Sequence, residues 1–275
     1  SKEVLYELSF SYYMTGNYPK AIDGLKQLSS ERDSMAQNSM YLLGDLYLKA
    51  GDKPNARSAF QFSAFNSSHP EQQRISRFNY AKLSYELGYQ DIALQEIRSY
   101  INDYPASSFD TEAKEILIAI LANTNNYREA LDIYRGFSNP TMAMQKSYPR
   151  ILHGRAIELI NDQQLSAADL LLSDVLSNAQ AGSLTAYAHF WKGEIAFRQQ
   201  RYDDAIRHTT QFVQANVPPQ GESNMDAARY NLGYSYLYKE NYRSAQTQFD
   251  AVCNSAASAT TPLKKDAYLR LGDAS

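Results

Sequence analysis

The sequence has one cysteine, Cys253, in 275 residues, so no disulfide bond can form within one chain. It has no apolar run long enough to span a bilayer, and its first residues lack the charged-then-apolar order of a signal peptide. No cluster of lysine and arginine stands out, and the formal net charge of −3 gives no basic surface for phosphates. We therefore expect a small apolar packing role for Cys253, no membrane insertion of this segment and no nucleic-acid partner.

Motifs of catalysis and of metal binding are also missing. The four histidines are not spaced as metal ligands, and HExxH, CxxC, Walker, GxGxxG and GxSxG patterns do not occur. We expect structural or surface roles for these histidines, with His208 exposed. The sequence thus predicts a protein that is not an enzyme and has no catalytic, cofactor-binding or metal site. The histidines are His69, His153, His189 and His208.

Helical periodicity is present instead, and it is clearest in Tyr230–Phe249. Gly233 and Tyr236 share one helical face, while Ala245 and Phe249 begin a second apolar stripe after a short polar turn. Small residues on facing helices allow the two backbones to approach closely. The stretch therefore predicts a helical hairpin.

The same pattern recurs along the chain, with a small residue on each second helix 35 to 40 residues after the previous one. An eighth unit begins at Leu271-Gly272 and is cut off. The recurring residues are Ala21, Ala56, Ala93, Ala130, Ala168, Ala205 and Ala245.

This register resembles the tetratricopeptide repeat (TPR) family, whose helices carry a large-small-x-x-Tyr pattern and then Tyr-x-x-Ala-x-x-x-Phe. The resemblance implies an all-α fold, an α-α superhelix or TPR solenoid of seven helical hairpins plus a truncated eighth. It implies a single array over 1–275, with repeats at about 2–33, 37–70, 74–105, 111–142, 149–180, 186–217 and 226–257, and a half-repeat at 263–275.

Repeats four to six depart from the pattern, because Lys192 stands where leucine is expected and Thr209 replaces a large residue. We expect looser or shifted packing there. Three long joints follow from the spacing, and we expect their bulk to lie along the edges of the solenoid. The joints are 136–149, a predicted bend or extra turn, 216–226 and 254–264.

The joint Tyr104–Ala113 resembles that of long-period TPR proteins of bacterial envelopes, such as the Tol-Pal coordinator and the lipoprotein of the barrel-assembly machine. This resemblance implies a larger bacterial envelope protein, periplasmic or outer-membrane-associated in a Gram-negative bacterium. A cytoplasmic location is the alternative.

In the TPR family the first helices line a concave groove that holds the ligand. Carried over to repeats six and seven, this implies a groove with aromatic anchors and orienting polar groups. The predicted function is a non-catalytic scaffold that holds a peptide or protein surface there; the alternative is a module that binds glycans or cell-wall fragments. The predicted site residues are Phe190, Trp191, Glu194, Phe197, Arg198, Tyr230, Asn231, Tyr234, Tyr238 and Lys239.

The half-repeat at the C-terminus carries the apolar stripe of a first helix without a second helix to cover it. Solenoids normally end in a polar cap. We therefore expect this sequence to be a piece of a longer array and the last helix to favour self-association.

Overall fold

The structure is a computed structural model that describes residues 1–256 and 261–274. In that part of the chain the secondary structure consists of fifteen α-helices, without a β-strand. The helices are α1 (Lys2–Met14), α2 (Tyr18–Lys26), α3 (Ser34–Lys49), α4 (Lys53–Ala64), α5 (Pro70–Glu86), α6 (Gln90–Asp103), α7 (Asp110–Asn123), α8 (Tyr127–Arg135), α9 (Met142–Asn161), α10 (Leu165–Ser177), α11 (Leu184–Arg198), α12 (Tyr202–Ala215), α13 (Met225–Tyr238), α14 (Tyr242–Cys253) and α15 (Pro262–Asp273).

The chain forms two compact units, Ser1–Thr124 with α1–α7 and Asn125–Ser275 with α8–α15. Within each unit consecutive helices pack against each other. The first helices of successive hairpins also touch, as α3 with α5 in the first unit and α11 with α13 in the second. The predicted all-α solenoid of helical hairpins is therefore confirmed.

Three-residue turns close the hairpins, and their middle residues adopt a left-handed conformation. In the first unit these residues are glycines, such as Gly16 with φ 77°. In the second unit they include Gln163, Gln200 and Glu240, each with φ 59°. Backbone bonds such as Asn241 N to Tyr236 O (2.9 Å) complete the turns, a pattern that satisfies the last carbonyls of a helix. The turn geometry thus repeats even where glycine does not.

The seven recurring alanines of the second helices all have 0% solvent exposure. This agrees with the prediction that they lie between helices. Any larger side chain there must displace a neighbouring helix.

Replacing Ala205 by leucine should lower the free energy of unfolding by about 1–3 kcal/mol, since the added methylenes overpack a filled site. Urea denaturation followed by circular dichroism measures the change. An unchanged midpoint would contradict the wedged position of this residue.

Glycines on first helices make the closest approaches. A Cβ built on Gly233 would lie 2.7 Å from the Phe249 ring, and one built on Gly193 would lie 2.2 Å from Thr209 Oγ1. Of the two outcomes expected for repeat six, looser or shifted packing, the looser one is not found, because the smaller Thr209 lets the helices come closer. Lys192 is buried there as well, with Nζ 2.7 Å from Asp169 Oδ1.

The joint 136–149 is mostly helical, because α9 begins at Met142 and continues through the buried Pro149. Only six residues separate α8 from this helix. Part of the joint 254–264 lies outside the described residues.

Cys253 is buried against Ala267 in the last apolar cluster, and burial raises the pKa of its thiol. Its predicted role as a small apolar packing residue is confirmed. In the portion of the chain that the structure describes, every helix is too short or too polar to cross a membrane.

Candidate functional site

A cavity of about 280 Å³ lies between α11 and α13 in the second unit. We call it the α11–α13 cavity. It forms because successive first helices lie side by side, so residues one repeat apart come together. Eight of the ten predicted site residues line it: Phe190, Trp191, Glu194, Phe197, Arg198, Tyr230, Asn231 and Tyr234.

Three further residues line this cavity and are absent from the sequence-based set. Ala227 lies one turn before Tyr230 on α13, and Leu263 lies on α15. Glu222 belongs to the segment that joins α12 to α13. The position of Ala227 was predictable from helical periodicity, whereas Glu222 and Leu263 depend on how a long joint and the following helix pack.

The hydroxyl groups of the cavity tyrosines are bonded within the protein. Tyr230 and Tyr234 both donate to Asp266 Oδ2, over 2.8 and 2.5 Å, and Arg270 Nε donates to the Tyr234 hydroxyl over 2.8 Å. Burial, together with the bond to Asp266, raises the pKa of Tyr230. The hydroxyl of Tyr234 in turn holds the pKa of Asp266 below its usual value. A ligand in the cavity therefore meets mainly the carbon surface of these rings.

Two carboxylates reach the cavity in different states. Glu194 accepts from Arg198 Nε through one oxygen (2.8 Å) and from Asn231 Nδ2 through the other (3.1 Å). The Glu222 side chain makes no hydrogen bond or ion pair to any residue that the structure describes. Glu222 thus brings an uncompensated negative charge to the cavity wall.

Phe190 and Trp191 are buried, with 6% and 5% solvent exposure. Their rings form an edge-to-face pair 5.2 Å apart, and Phe190 packs equally close to Phe212 on α12. They support the wall of the cavity and are unavailable as exposed anchors. The rings that remain partly accessible are Phe197, Tyr230 and Tyr234.

Tyr238 and Lys239 do not line the α11–α13 cavity, although the Tyr238 ring lies 6.2 Å from the rings of both Phe197 and Tyr234. Tyr238 is 58% exposed and stacks on Tyr202 of α12 at 5.0 Å. Lys239 pairs with Asp203. Both residues lie where α13 ends, and there they contact the preceding second helix.

An adjacent cavity of about 870 Å³ shares Trp191 and Glu222 with the first. Its wall includes α9 and residues 220–223 of the joint before α13. Two contacts hold that joint against the helices. Tyr187 donates a hydrogen bond to the Pro218 carbonyl (2.7 Å), and Ser223 is buried with 2% exposure. Residues 220–223 of this joint thus form part of the adjacent cavity, and Glu222 reaches both cavities.

His189 and His208 also meet, although the sequence gives no sign of a pair. Their Nδ1 atoms are 2.8 Å apart across the α11–α12 hairpin, so one ring must donate and the other accept. Burial, with the neighbouring charge of Lys192, lowers the pKa of both, that of His208 to about 4. The prediction that His208 is exposed is wrong. The described residues contain no group of three or more His, Cys, Asp or Glu side chains placed to hold a metal ion.

Comparison with known proteins gives two kinds of similarity. The model of the tetratricopeptide repeat family matches residues 6–69 and 154–212. The C-terminal part of a TPR repeat-containing protein from Cytophaga hutchinsonii is similar in structure, with a TM-score of 0.51 and 13% identity over 95% of this chain and 98% of that chain. No match is found among curated proteins.

A second solved structure, of Naa15/Naa10 bound to HypK-THB, contains a similar chain. The TM-score is 0.51 and the identity 13%, over 99% of this chain and 39% of that one. Identities of this size concern the fold alone.

The fold is a helical-repeat solenoid, a class that generally provides non-catalytic scaffolds for protein–protein interaction. The chain is thus similar to the tetratricopeptide repeat family in sequence over these two stretches, and to solved TPR structures in fold.

Proposed function

We propose that this protein is an interaction scaffold that holds a peptide segment of a partner protein against the first helices of its second unit. The observation that carries the proposal is the α11–α13 cavity, in which partly accessible rings and charged side chains meet. Aromatic anchors in a pocket with a polar rim are typical of the energetic centre of a protein interface.

The joint before α13 strengthens this proposal. It continues the wall from the α11–α13 cavity into the larger adjacent cavity, and Trp191 and Glu222 belong to both. A peptide can thus anchor one side chain in the smaller cavity while its backbone follows the larger one. Asn161 and Gln220 line that second part and offer polar groups to a peptide backbone.

The glycan-binding alternative needs an exposed flat ring on which a sugar can stack. Trp191, the only tryptophan, is 5% exposed and cannot serve in that way. The exposed ring of Tyr238 lies outside the cavity, and one of its faces is stacked on Tyr202. Peptide binding is therefore better supported than glycan binding.

We expect Tyr234→Ala to weaken peptide binding by about 2–4 kcal/mol, because this ring lies in the wall of the cavity. Tyr242→Ala provides the matched control: the same change at a 50% exposed ring on α14, outside the cavity, should alter affinity by less than about 0.5 kcal/mol. The affinities are measured by fluorescence anisotropy with labelled peptides selected on the unmodified chain from a random display library.

Tyr234 also packs 5.4 Å from Phe249, so its loss affects stability as well. Melting temperatures of both variants, and Tyr234→Phe, which keeps the ring, separate folding from binding. The proposal fails if no peptide is selected, or if folded Tyr234→Ala binds the selected peptides as tightly as the unmodified chain.

A further inference from the structure

We infer that the α11–α13 cavity takes a basic side chain, lysine or arginine, of the bound peptide, with its cationic group beside Glu222. The inference rests on the proposed function, since it names the chemistry of the residue that a peptide places in this cavity. Three properties of the cavity support it: its charge, its rings and its size.

The charge of the cavity wall is unbalanced. Two carboxylates, Glu194 and Glu222, and one guanidinium, Arg198, line the cavity. The Arg198 charge is offset by Glu194 over 2.8 Å, while Glu222 has no partner among the described residues. One negative charge is left over, so a cationic ligand is attracted and a carboxylate ligand is repelled.

The rings suit the same ligand. The hydroxyls of Tyr230 and Tyr234 are engaged with Asp266, which leaves the carbon surfaces of these rings and of Phe197 to the ligand. Lysine and arginine have long apolar stems that cover such surfaces while their charged heads stay near water. A cation near an aromatic face gains further from the ring quadrupole.

The size of the cavity points to one side chain. Its volume of about 280 Å³ falls just below the roughly 300–1,000 Å³ that is typical of sites for whole small ligands. The exposed Glu222 stands at the boundary with the larger adjacent cavity. A side chain that extends past the rings thus ends near this carboxylate, and the rest of the peptide continues into the larger space.

The test uses four pools of short random peptides without tryptophan, identical except for a central arginine, lysine, glutamine or glutamate. Trp191 is the only tryptophan and lines the cavity, so its fluorescence reports binding to the unmodified 275-residue chain. We expect the arginine and lysine pools to bind about tenfold more tightly than the glutamine pool, and the glutamate pool to bind most weakly. Added salt should reduce the preference for the basic pools, since it screens an exposed charge.

Three variants assign the preference to one residue. Glu222→Gln should bring the arginine and glutamine pools to similar affinity, and Glu222→Lys should favour the glutamate pool. Asp250→Asn removes the same charge from an exposed position on α14, outside the cavity, and should leave the preference unchanged. Because the Glu222 side chain is exposed and has no partner among the described residues, we expect all three variants to fold, which circular dichroism checks.

The outcomes separate the two proposals. If no pool changes the Trp191 fluorescence and none is retained by the immobilised chain, the proposed function fails. If the pools bind but glutamine competes equally with arginine, or Glu222→Gln keeps the basic preference, the inference fails and the peptide-binding function stands.

Discussion

Phe249→Ala is expected to lower the free energy of unfolding by about 3–5 kcal/mol, because it removes a large ring from a site that cannot collapse. Phe249 has 0% exposure and lies under Gly233 in the α13–α14 hairpin. Its ring is held edge-to-face against Tyr234 at 5.4 Å. Urea denaturation measures the loss. Tyr242→Ala, at a 50% exposed ring on the same helix, should cost less than about 0.5 kcal/mol.

A double-mutant cycle tests whether the ring and the glycine are coupled. In the unmodified chain, Gly233→Ala pushes a methyl group to within 2.7 Å of the Phe249 ring, so it should destabilise the hairpin. In the Phe249→Ala background the same methyl group has room, and the change should stabilise by up to about 1 kcal/mol through helix propensity alone. The sign of the Gly233→Ala effect therefore reverses between backgrounds.

Gly272→Ala is the matched control for this cycle. Gly272 occupies the corresponding position on α15, and a Cβ built there has no atom within 4 Å. We expect Gly272→Ala to be neutral or slightly stabilising in both backgrounds. Equal effects of Gly233→Ala in the two backgrounds would contradict close packing as the reason for glycine at position 233.

The helices of this fold were predictable because each hairpin repeats one local rule. A small residue such as Ala245, placed three residues after the start of a second helix, marks a close approach that any larger side chain would prevent. The departures were harder to interpret. Thr209 suggested looser or shifted packing without saying which. Gly193 on the facing helix comes nearer to Thr209, and only the two residues together show this result.

The candidate site was partly predictable for the same reason. Residues on neighbouring first helices, such as Glu194 and Asn231, meet because successive first helices lie side by side. Glu222 was missed because no periodicity governs a joint between repeats, and its place depends on a long-range bond from Tyr187 to Pro218. Tyr238 packs against Tyr234 but lies outside the cavity, and spacing along a helix does not tell where a cavity ends.

Acid should destabilise the second unit through His153, because the ring of this histidine is buried and neutral. His153 has 6% exposure, and its Nε2 atom has no hydrogen-bond partner. Burial lowers the pKa of this side chain from 6.5 to about 4. In the unfolded chain His153 is therefore protonated below about pH 6.5, whereas in the folded chain it is protonated only below about pH 4.

The resulting loss is largest at the acid end of that window. At about 1.4 kcal/mol per pKa unit, stability that is fully present above pH 6.5 falls by up to about 3 kcal/mol as the pH approaches 4. His208, whose pKa is also lowered to about 4, adds a further acid dependence. A comparison of two variants is therefore needed to isolate His153.

His153→Leu removes the titrating group while it keeps an apolar side chain of moderate size at the site. At pH 8 we expect the variant and the unmodified chain to differ by less than about 1.5 kcal/mol, since the lost ring has an unsatisfied nitrogen. As the pH falls to 4, the variant should gain about 3 kcal/mol relative to the unmodified chain, because the contribution of His208 is common to both. Urea denaturation of the two proteins at several pH values measures this difference. A constant difference from pH 8 to pH 4 would mean that His153 takes up its proton equally well in the folded chain, and the acid sensitivity would then have to come from the His189–His208 pair.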